Sequence, residues 1–324
     1  MPQLSVVIVS YNTVDLLREC LKSVCGDVAE GDTEVLVVDN ASSDGSPEMV
    51  SKEFPRAELI RNRQNMGFAK ANNQAIGISS GEFILLLNAD ARLLTGCCER
   101  LVGRMHRNLS LGICGPAILN EDGSRQPSWG RFPSPRLEFA FQSLLYKALP
   151  VPYPFGRRVH PLLLPAYSRF RQVDWVTAAA VLIRREVVDQ IGLLPEESHM
   201  YSEDVEFCFR ARSAGYAIGY EPAGEVVHRA GGARASYQDW IVNYTRGSII
   251  YFASHYPAPT VARVARVVVA GNRLRYYLWR IVGAVNPSKR GEAEMRCRGY
   301  QRAIEVVGAY TRPNSSGPLS GRTR

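Results

Sequence analysis

Apolar positions in the first ninety residues alternate between two periods. Leu4–Ser10 (LSVVIVS) is a short, β-branched apolar run of the kind that forms a buried strand. Behind it Leu16, Leu17, Leu21 and Val24 recur at helical spacing, with Asn12 or Thr13 as the expected N-cap. Glu34–Asp39 (EVLVVD) reads as a second strand, followed by the turn-forming NASSDGS and a short helix that Pro47 can start. Ala57–Arg61 gives a third strand, Gly67–Ser79 a helix and Glu82–Asn88 a fourth strand. Strands separated by single helices predict an α/β fold with a parallel sheet and helices on both faces. Such sheets bind ligands beyond the carboxyl ends of their strands. Tyr11, Asp39 and Asp90 then share one rim.

Further on the pattern is less regular. A helix near Gly96–Arg107 and the apolar GICGPAIL precede a stretch, 127–172, that carries eight prolines and reads as an irregular insert or lid. Regularity resumes with Val173–Ile183, a short helix over Arg185–Ile191, and a helix over Ser202–Tyr216 that Gly215 closes. AIGYE and EVVH give two short strands, and residues from Ser236 onward look helical. The expected organisation is a catalytic domain over 1–235, a basic helical region over 236–310 and a disordered tail over 311–324.

Composition narrows the class. With 46% hydrophobic and 22% charged residues the chain is globular, which excludes a disordered or collagen-like protein. Seven cysteines form no C-x-x-C pair and no zinc spacing, so they read as reduced cytosolic thiols. The first residues have no basic segment or cleavage site of a signal peptide, and no stretch suits a membrane span. The net charge of +8 is unevenly placed: residues 1–239 balance at −3 and residues 240–324 at +11. No acidic residue lies between Trp240 and Gly291, so this end should meet an anionic surface.

Seven segments occur in order over about 230 residues: SVVIVSYN, VVDNASSDGS, NMGFAKANN, LLLNAD, DWVTAAAVLIRRE, YSEDVEFCFRARSAGY and EVVH. Together they resemble the inverting glycosyltransferases of family 2, and within them the bacterial rhamnosyltransferase-like branch that builds cell-envelope polysaccharides. The resemblance implies a GT-A fold, a mostly parallel sheet flanked by helices, here with a C-terminal helical extension. It also implies a metal-dependent hexosyltransferase.

Residue by residue, LLLNAD matches the family's D-x-D position, with Asn88 in place of the first acid and Ala89 between. Metal contact would rest on Asp90, and Mg²⁺ or Mn²⁺ suits such hard oxygen donors. His228 stands where the family often places a metal-binding histidine. A polar strand-end turn at Asp90 and an ordinary core histidine at 228 are the plainer alternatives. Asp39 corresponds to the residue that accepts the pyrimidine N3–H of the donor. A carboxylate accepts and cannot donate, so it selects uracil or thymine over cytosine; a turn-forming N-cap is the plainer alternative for Asp39. Ser10, Tyr11 and Asn12 join it on the donor side. Asn65, Gly67 and Lys70 would bring backbone N–H groups and an ammonium to the donor, or simply start a helix.

Glu203 and Asp204 diverge by about 100° on a helix, so one can face the acceptor while the other caps or pairs. The family's general base maps onto Asp204. Stabilisation of a helix N-terminus is the alternative for both. Arg210 could pair with an acid or a phosphate. Trp175, Thr177 and Ala178 match the acceptor wall, with Thr-Ala-Ala where Ser/Gly-Gly/Ala is more usual.

In Val261–Val285, Arg263, Arg266, Arg273 and Arg280 fall within a stripe of roughly 100° on an apolar helix. That reads as an interfacial membrane helix or as a solvated face. No nucleic-acid module accompanies the charge. The expected activity is transfer of a sugar, rhamnose by resemblance, from a dTDP- or UDP-sugar to a glycan or polyprenyl-diphosphate-linked acceptor. The expected location is cytoplasmic, peripheral on the inner face of the plasma membrane. A sugar nucleotidyltransferase would need a Gly-rich basic loop after the first strand, which SYNTVD is not. A silent glycan-binding scaffold, suggested by Asn88, is opposed by the presence of Asp90 and Asp204.

Overall fold

The computed structural model describes residues 2–28, 31–144, 159, 161–196, 202–229, 237–308 and 310–311. Residues 145–158 and 160 of the expected insert, and 312–324 of the expected tail, lie outside them. Two compact units are present, one within 1–132, 152–199 and 203–234, the other within 133–151, 200–202 and 235–324.

The first unit opens with β1 (Leu4–Ser10), α1 (Val14–Asp27), β2 (Thr33–Asp39), α2 (Ser46–Glu53), β3 (Glu58–Arg61), α3 (Phe68–Ile78) and β4 (Phe83–Asn88). Short β5 (Ala91–Leu93), α4 (Cys97–Arg107), β6 (Leu111–Leu119) and β7 (Trp129–Gly130) follow. In the second unit α5 (Pro135–Gln142) starts on Ser134, whose hydroxyl accepts the Leu137 N–H at 3.3 Å. Back in the first unit come β8 (Arg171–Val173), β9 (Trp175–Val176), β10 (Ala180–Arg184), α6 (Arg185–Ile191), α7 (Glu203–Ser213) and β11 (Ala217–His228). The second unit ends with α8 (Tyr237–His255), α9 (Ala258–Val285) and α10 (Arg290–Gly308).

Among the described residues the main sheet has nine strands, in the order β3-β2-β1-β4-β10-β6-β11-β5, with β8 on β11. β1, β2, β3 and β4 are mutually parallel, as single-helix crossovers require. β10 then enters antiparallel between β4 and β6. Val173–Ile183 is therefore three short strands, broken where the chain turns at Asp174 and Thr177–Ala179. Conversely, AIGYE and EVVH are one strand, β11, whose pairing with β6 slips between Glu221 and Glu225. A slip of this kind bends the strand and re-aims its far end.

Alternation along the strands builds a core on each face. Val7, Leu36, Val38, Ile84 and Leu86 meet α3 and α7 through Ala71, Ala75, Phe207 and Ala211. Val6, Ile8, Val37, Leu85 and Leu87 meet α1, α2 and α4 through Leu17, Leu21, Val50 and Leu101. Buried thiols such as Cys97 and Cys208 belong to these cores, and burial pushes each up to about 12. α7 closes at Gly215, whose φ of 98° a side chain would resist.

The start of α1 is capped from outside. The Thr13 hydroxyl pairs with Ser10 at 2.9 Å, and the Val14 N–H instead goes to the Asp44 carboxylate at 2.8 Å. Asn12 caps nothing; it accepts the Ser43 N–H at 2.8 Å and donates its own N–H to the Ser42 hydroxyl at 2.9 Å. The loops after β1 and β2 are thus stitched together. Burial opposes the charge of Asp44, but bonds from Ser46 and from backbone N–H groups hold its carboxyl below the usual range. Asp44→Ala should cost about 1 kcal/mol, as loss of a helix cap does, read from urea midpoints at neutral pH. Because its folded pKa is depressed, the difference should fade as the pH drops through that value.

Candidate active site

The carboxyl ends of β1, β2 and β4 place the first candidates together. Ser10 lies opposite Asp39 in the β1–β2 register, and the Asn40 N–H donates to the Ser10 carbonyl at 2.8 Å. Asp39 is 3% exposed; its Oδ2 accepts the Ser42 N–H at 3.0 Å, while Oδ1 is buried with no hydrogen-bond partner among the described residues. A buried carboxylate oxygen left unmatched is costly unless something donates to it. Tyr11, 41% exposed, follows Ser10 on the same rim.

Asn40, which the sequence offered only as a turn residue, organises the next loop. Its Oδ1 accepts the Met66 N–H at 2.9 Å and the Asn62 amide at 3.1 Å, and its Nδ2 donates to Asn65 Oδ1 at 2.9 Å. The Gly67 N–H is also taken, by Asn65 Oδ1 at 2.9 Å, and Gly67 holds a φ of 82° that favours glycine. Asn65 and Gly67 therefore use their polar groups inside the loop, and Lys70 is exposed beyond them. This loop and Glu196 line a pocket of about 310 Å³.

A second group gathers at the end of β4. His228 Nε2 lies 3.2 Å from Asp90 Oδ1 and 3.4 Å from the Asn88 side-chain nitrogen. The register is responsible: β5 pairs antiparallel with β11 so that Ala91 faces His228, and the Arg229 N–H donates to the Asp90 carbonyl at 3.1 Å. Ala89, between the two, is buried. Gln126, which sequence reasoning missed, fixes the histidine from behind. Its Nε2 donates to the His228 carbonyl at 2.6 Å and to Asn120 Oδ1 at 3.0 Å, which turns its Oε1 to His228 Nδ1 at 3.2 Å. Nδ1 then carries the proton. Nε2 faces both the Asp90 carboxylate and the Asn88 amide, so its lone pair is directed at this group. An isolated glutamine in a loop gave no signal of this.

The segment Thr177–Ala179 joins this group to α7. The Asn88 N–H donates to the Ala179 carbonyl at 3.0 Å, and the Ala178 N–H donates to Asp204 Oδ2 at 3.3 Å. Thr177 turns inward, its hydroxyl accepting the Ala179 N–H at 3.3 Å. Asp204 Oδ1 accepts the Val205 N–H at 2.8 Å, and its neighbour Glu203 is buried. Burial pushes the Asp204 carboxyl above the usual carboxylate range, against the pull of the Val205 and Ala178 N–H groups.

Two of the expected residues serve structure. Trp175 is buried, its indole N–H donated to the Arg131 carbonyl at 2.9 Å, so it braces the Thr177–Ala179 turn from beneath. Arg210 donates to the Ile191 and Leu193 carbonyls, each at 2.6 Å, and packs over Phe207. It therefore fixes the chain after α6, and the Glu206 carboxylate, an acid of the kind expected, acts favourably on its charge.

The chain belongs to glycosyl transferase family 2: it is a glycosyltransferase with a GT-A fold. The family's model matches residues 5–164. The N-acetylglucosaminyl-diphospho-decaprenol L-rhamnosyltransferase of Mycobacterium tuberculosis is 30% identical over 237 residues, 69% of this chain and 75% of that one. A low-salt glycan biosynthesis hexosyltransferase of Haloferax volcanii is 27% identical over 229 residues, 69% and 66% of the two chains. Among solved structures, a mannosyltransferase from Pyrobaculum calidifontis in complex with GDP-Man and Mn²⁺ superposes with a TM-score of 0.56 at 17% identity, covering 96% of this chain and 87% of that one.

The raised pKa of Asp204 has a consequence for stability. A carboxyl whose folded pKa exceeds its unfolded value favours the folded state only while protonated, and that contribution is lost as the pH rises through the folded value. Asp204→Asn should therefore melt higher than the wild type at neutral and alkaline pH. The gap should close below the ordinary carboxylate range, as thermal unfolding across pH would show.

Proposed function

We propose that this glycosyltransferase takes a sugar from a dTDP- or UDP-sugar and delivers it, with inversion at the anomeric carbon, to a hydroxyl of a glycan or lipid-diphosphate-linked acceptor. The observation that carries the reading is the convergence of Asn88, Asp90 and His228 at the end of β4, joined through Ala178 and Ala179 to Asp204. Rhamnose is the favoured sugar, supported by the similarity to the mycobacterial rhamnosyltransferase.

Asp90 and His228 would hold a divalent cation, Mg²⁺ or Mn²⁺, with the Asn88 amide beside them. The donor set fits: one hard carboxylate oxygen and one imidazole nitrogen whose tautomer Gln126 fixes. When bound, such an ion neutralises charge on the departing diphosphate. The unmatched Asp39 oxygen would accept the N3–H of uracil or thymine, and the exposed Tyr11 ring would lie against the base. Asp204 would take the acceptor hydroxyl's proton as that oxygen attacks the anomeric carbon opposite the diphosphate. Its carboxyl, held above the ordinary range, is a better proton acceptor for this than an ordinary aspartate.

Titration calorimetry of UDP and dTDP with and without Mn²⁺ tests the donor side. Asp90→Ala should abolish the metal-dependent part of the affinity, since Asn88 supplies no charge in compensation; an unchanged dependence would overturn the metal assignment. On the acceptor side, Asp204→Asn should slow turnover by about 10²–10⁴ while nucleotide affinity is kept. Full activity in that variant would move the base elsewhere.

A further inference from the structure

We propose that the last three turns of α9 are a lipid-facing surface that docks the protein on an anionic bilayer. The helix changes character along its length. In its first half Val261, Val264, Ala265, Val268 and Val269 are buried against Ile249, Phe252 and Val307, so the apolar side is covered by the unit's own core. In its second half the outward side becomes apolar. Leu274, Tyr277, Leu278, Ile281 and Val285 are between 42% and 76% exposed. At 100° per residue the five fall within an arc of about 100°. A soluble helix places such a stripe inward; here it faces water.

The flank of the arc selects the partner. Arg266, Arg273 and Arg280 run along one edge of it, Arg263 lies on its line about three turns earlier, and all four are exposed. Arg263 bonds within its own helix, to the Pro259 carbonyl and Thr260 hydroxyl, and Arg280 lies by the Tyr276 ring. No acidic residue occurs between Trp240 and Gly291. Two acids of the flanking helices are engaged, Glu292 with Arg296 at 2.8 Å and Asp239 with Arg302 at 3.4 Å. An apolar arc bordered by uncompensated arginines, with a tyrosine at its margin, complements a layer with phosphates outside and acyl chains beneath. Among the described residues no helix is long and apolar enough to cross a membrane, so the helix would lie in the interface. The arginine stripe expected from the sequence is present, but it borders the docking surface, whose centre is the apolar arc of 274–285. The inference is independent of the donor-site reading.

The test is flotation of the full chain with vesicles of phosphatidylcholine alone or mixed with phosphatidylglycerol, at low and high salt. The wild type should float with anionic vesicles and be released by salt. Tyr277→Ser/Ile281→Gln/Val285→Gln alters only exposed positions, so circular dichroism should be unchanged while partition falls at least tenfold at both salt concentrations. Arg263→Gln/Arg266→Gln/Arg273→Gln/Arg280→Gln should lose the salt-sensitive part. Equal partition of wild type and both variants would overturn the proposal. So would a wild type that ignores both vesicle types and sediments as a dimer dispersed by the apolar triple variant, which would make the arc a contact between copies.

Discussion

The contact on which the candidate site depends is the one between Asp90 and His228, 3.2 Å apart in space and 138 residues apart in the chain. It exists because β11 runs parallel to β6, slips register after Glu221, and ends against β5 with His228 opposite Ala91. A one-residue error in that register would turn the imidazole to the other face of the sheet. The bulge between Glu221 and Glu225 is therefore part of the site, although it lies away from it. Arg104 reaches the buried Glu221 carboxylate at this bend, and Glu221 Oε1 accepts the Ala223 N–H at 3.1 Å, so the backbone that leaves the ladder is not left bare.

The rest of the rim is held by amide side chains. Asn40, Asn62, Asn65 and Gln74 bond to one another and to the backbone of 66–67. A network of neutral amides fixes the loop without a charged side chain among its members. Polar networks of this kind are stable only when every member is satisfied, so the loop behaves as one piece.

In the second unit the same helix serves two purposes. The first half of α9 completes a core with α8 and α10, and in the second half Arg275 bonds to the Gln142 and Phe141 carbonyls of α5 at 3.1 and 2.7 Å. With the helix anchored by that core, by Arg275 and by Tyr276 and Trp279 against Ile241, Tyr300 and Ala303, the apolar side chains on its outward side need not turn inward for it to be stable.

Much of this was legible in the amino-acid sequence. The β-branched runs Leu4–Ser10 and Glu34–Asp39, and the largely apolar run Glu82–Asn88, have few ways to bury themselves other than as central strands. The order of strands and helices then puts Tyr11, Asp39 and Asp90 on one rim. What stayed hidden depends on pairings distant in the chain. The sequence could not show that β10 enters antiparallel, nor that two short runs join into β11 across a bulge, because strand direction and register are set by partners. It could not show that Gln126 stands behind His228, that Trp175 and Arg210 bond to backbone carbonyls, or that Asp44 caps α1, since each is a choice among equivalent polar partners. Composition and local period determined which residues must be buried and where strands end; only the tertiary structure decided which side chains meet there, because that follows from register and from the satisfaction of buried polar groups.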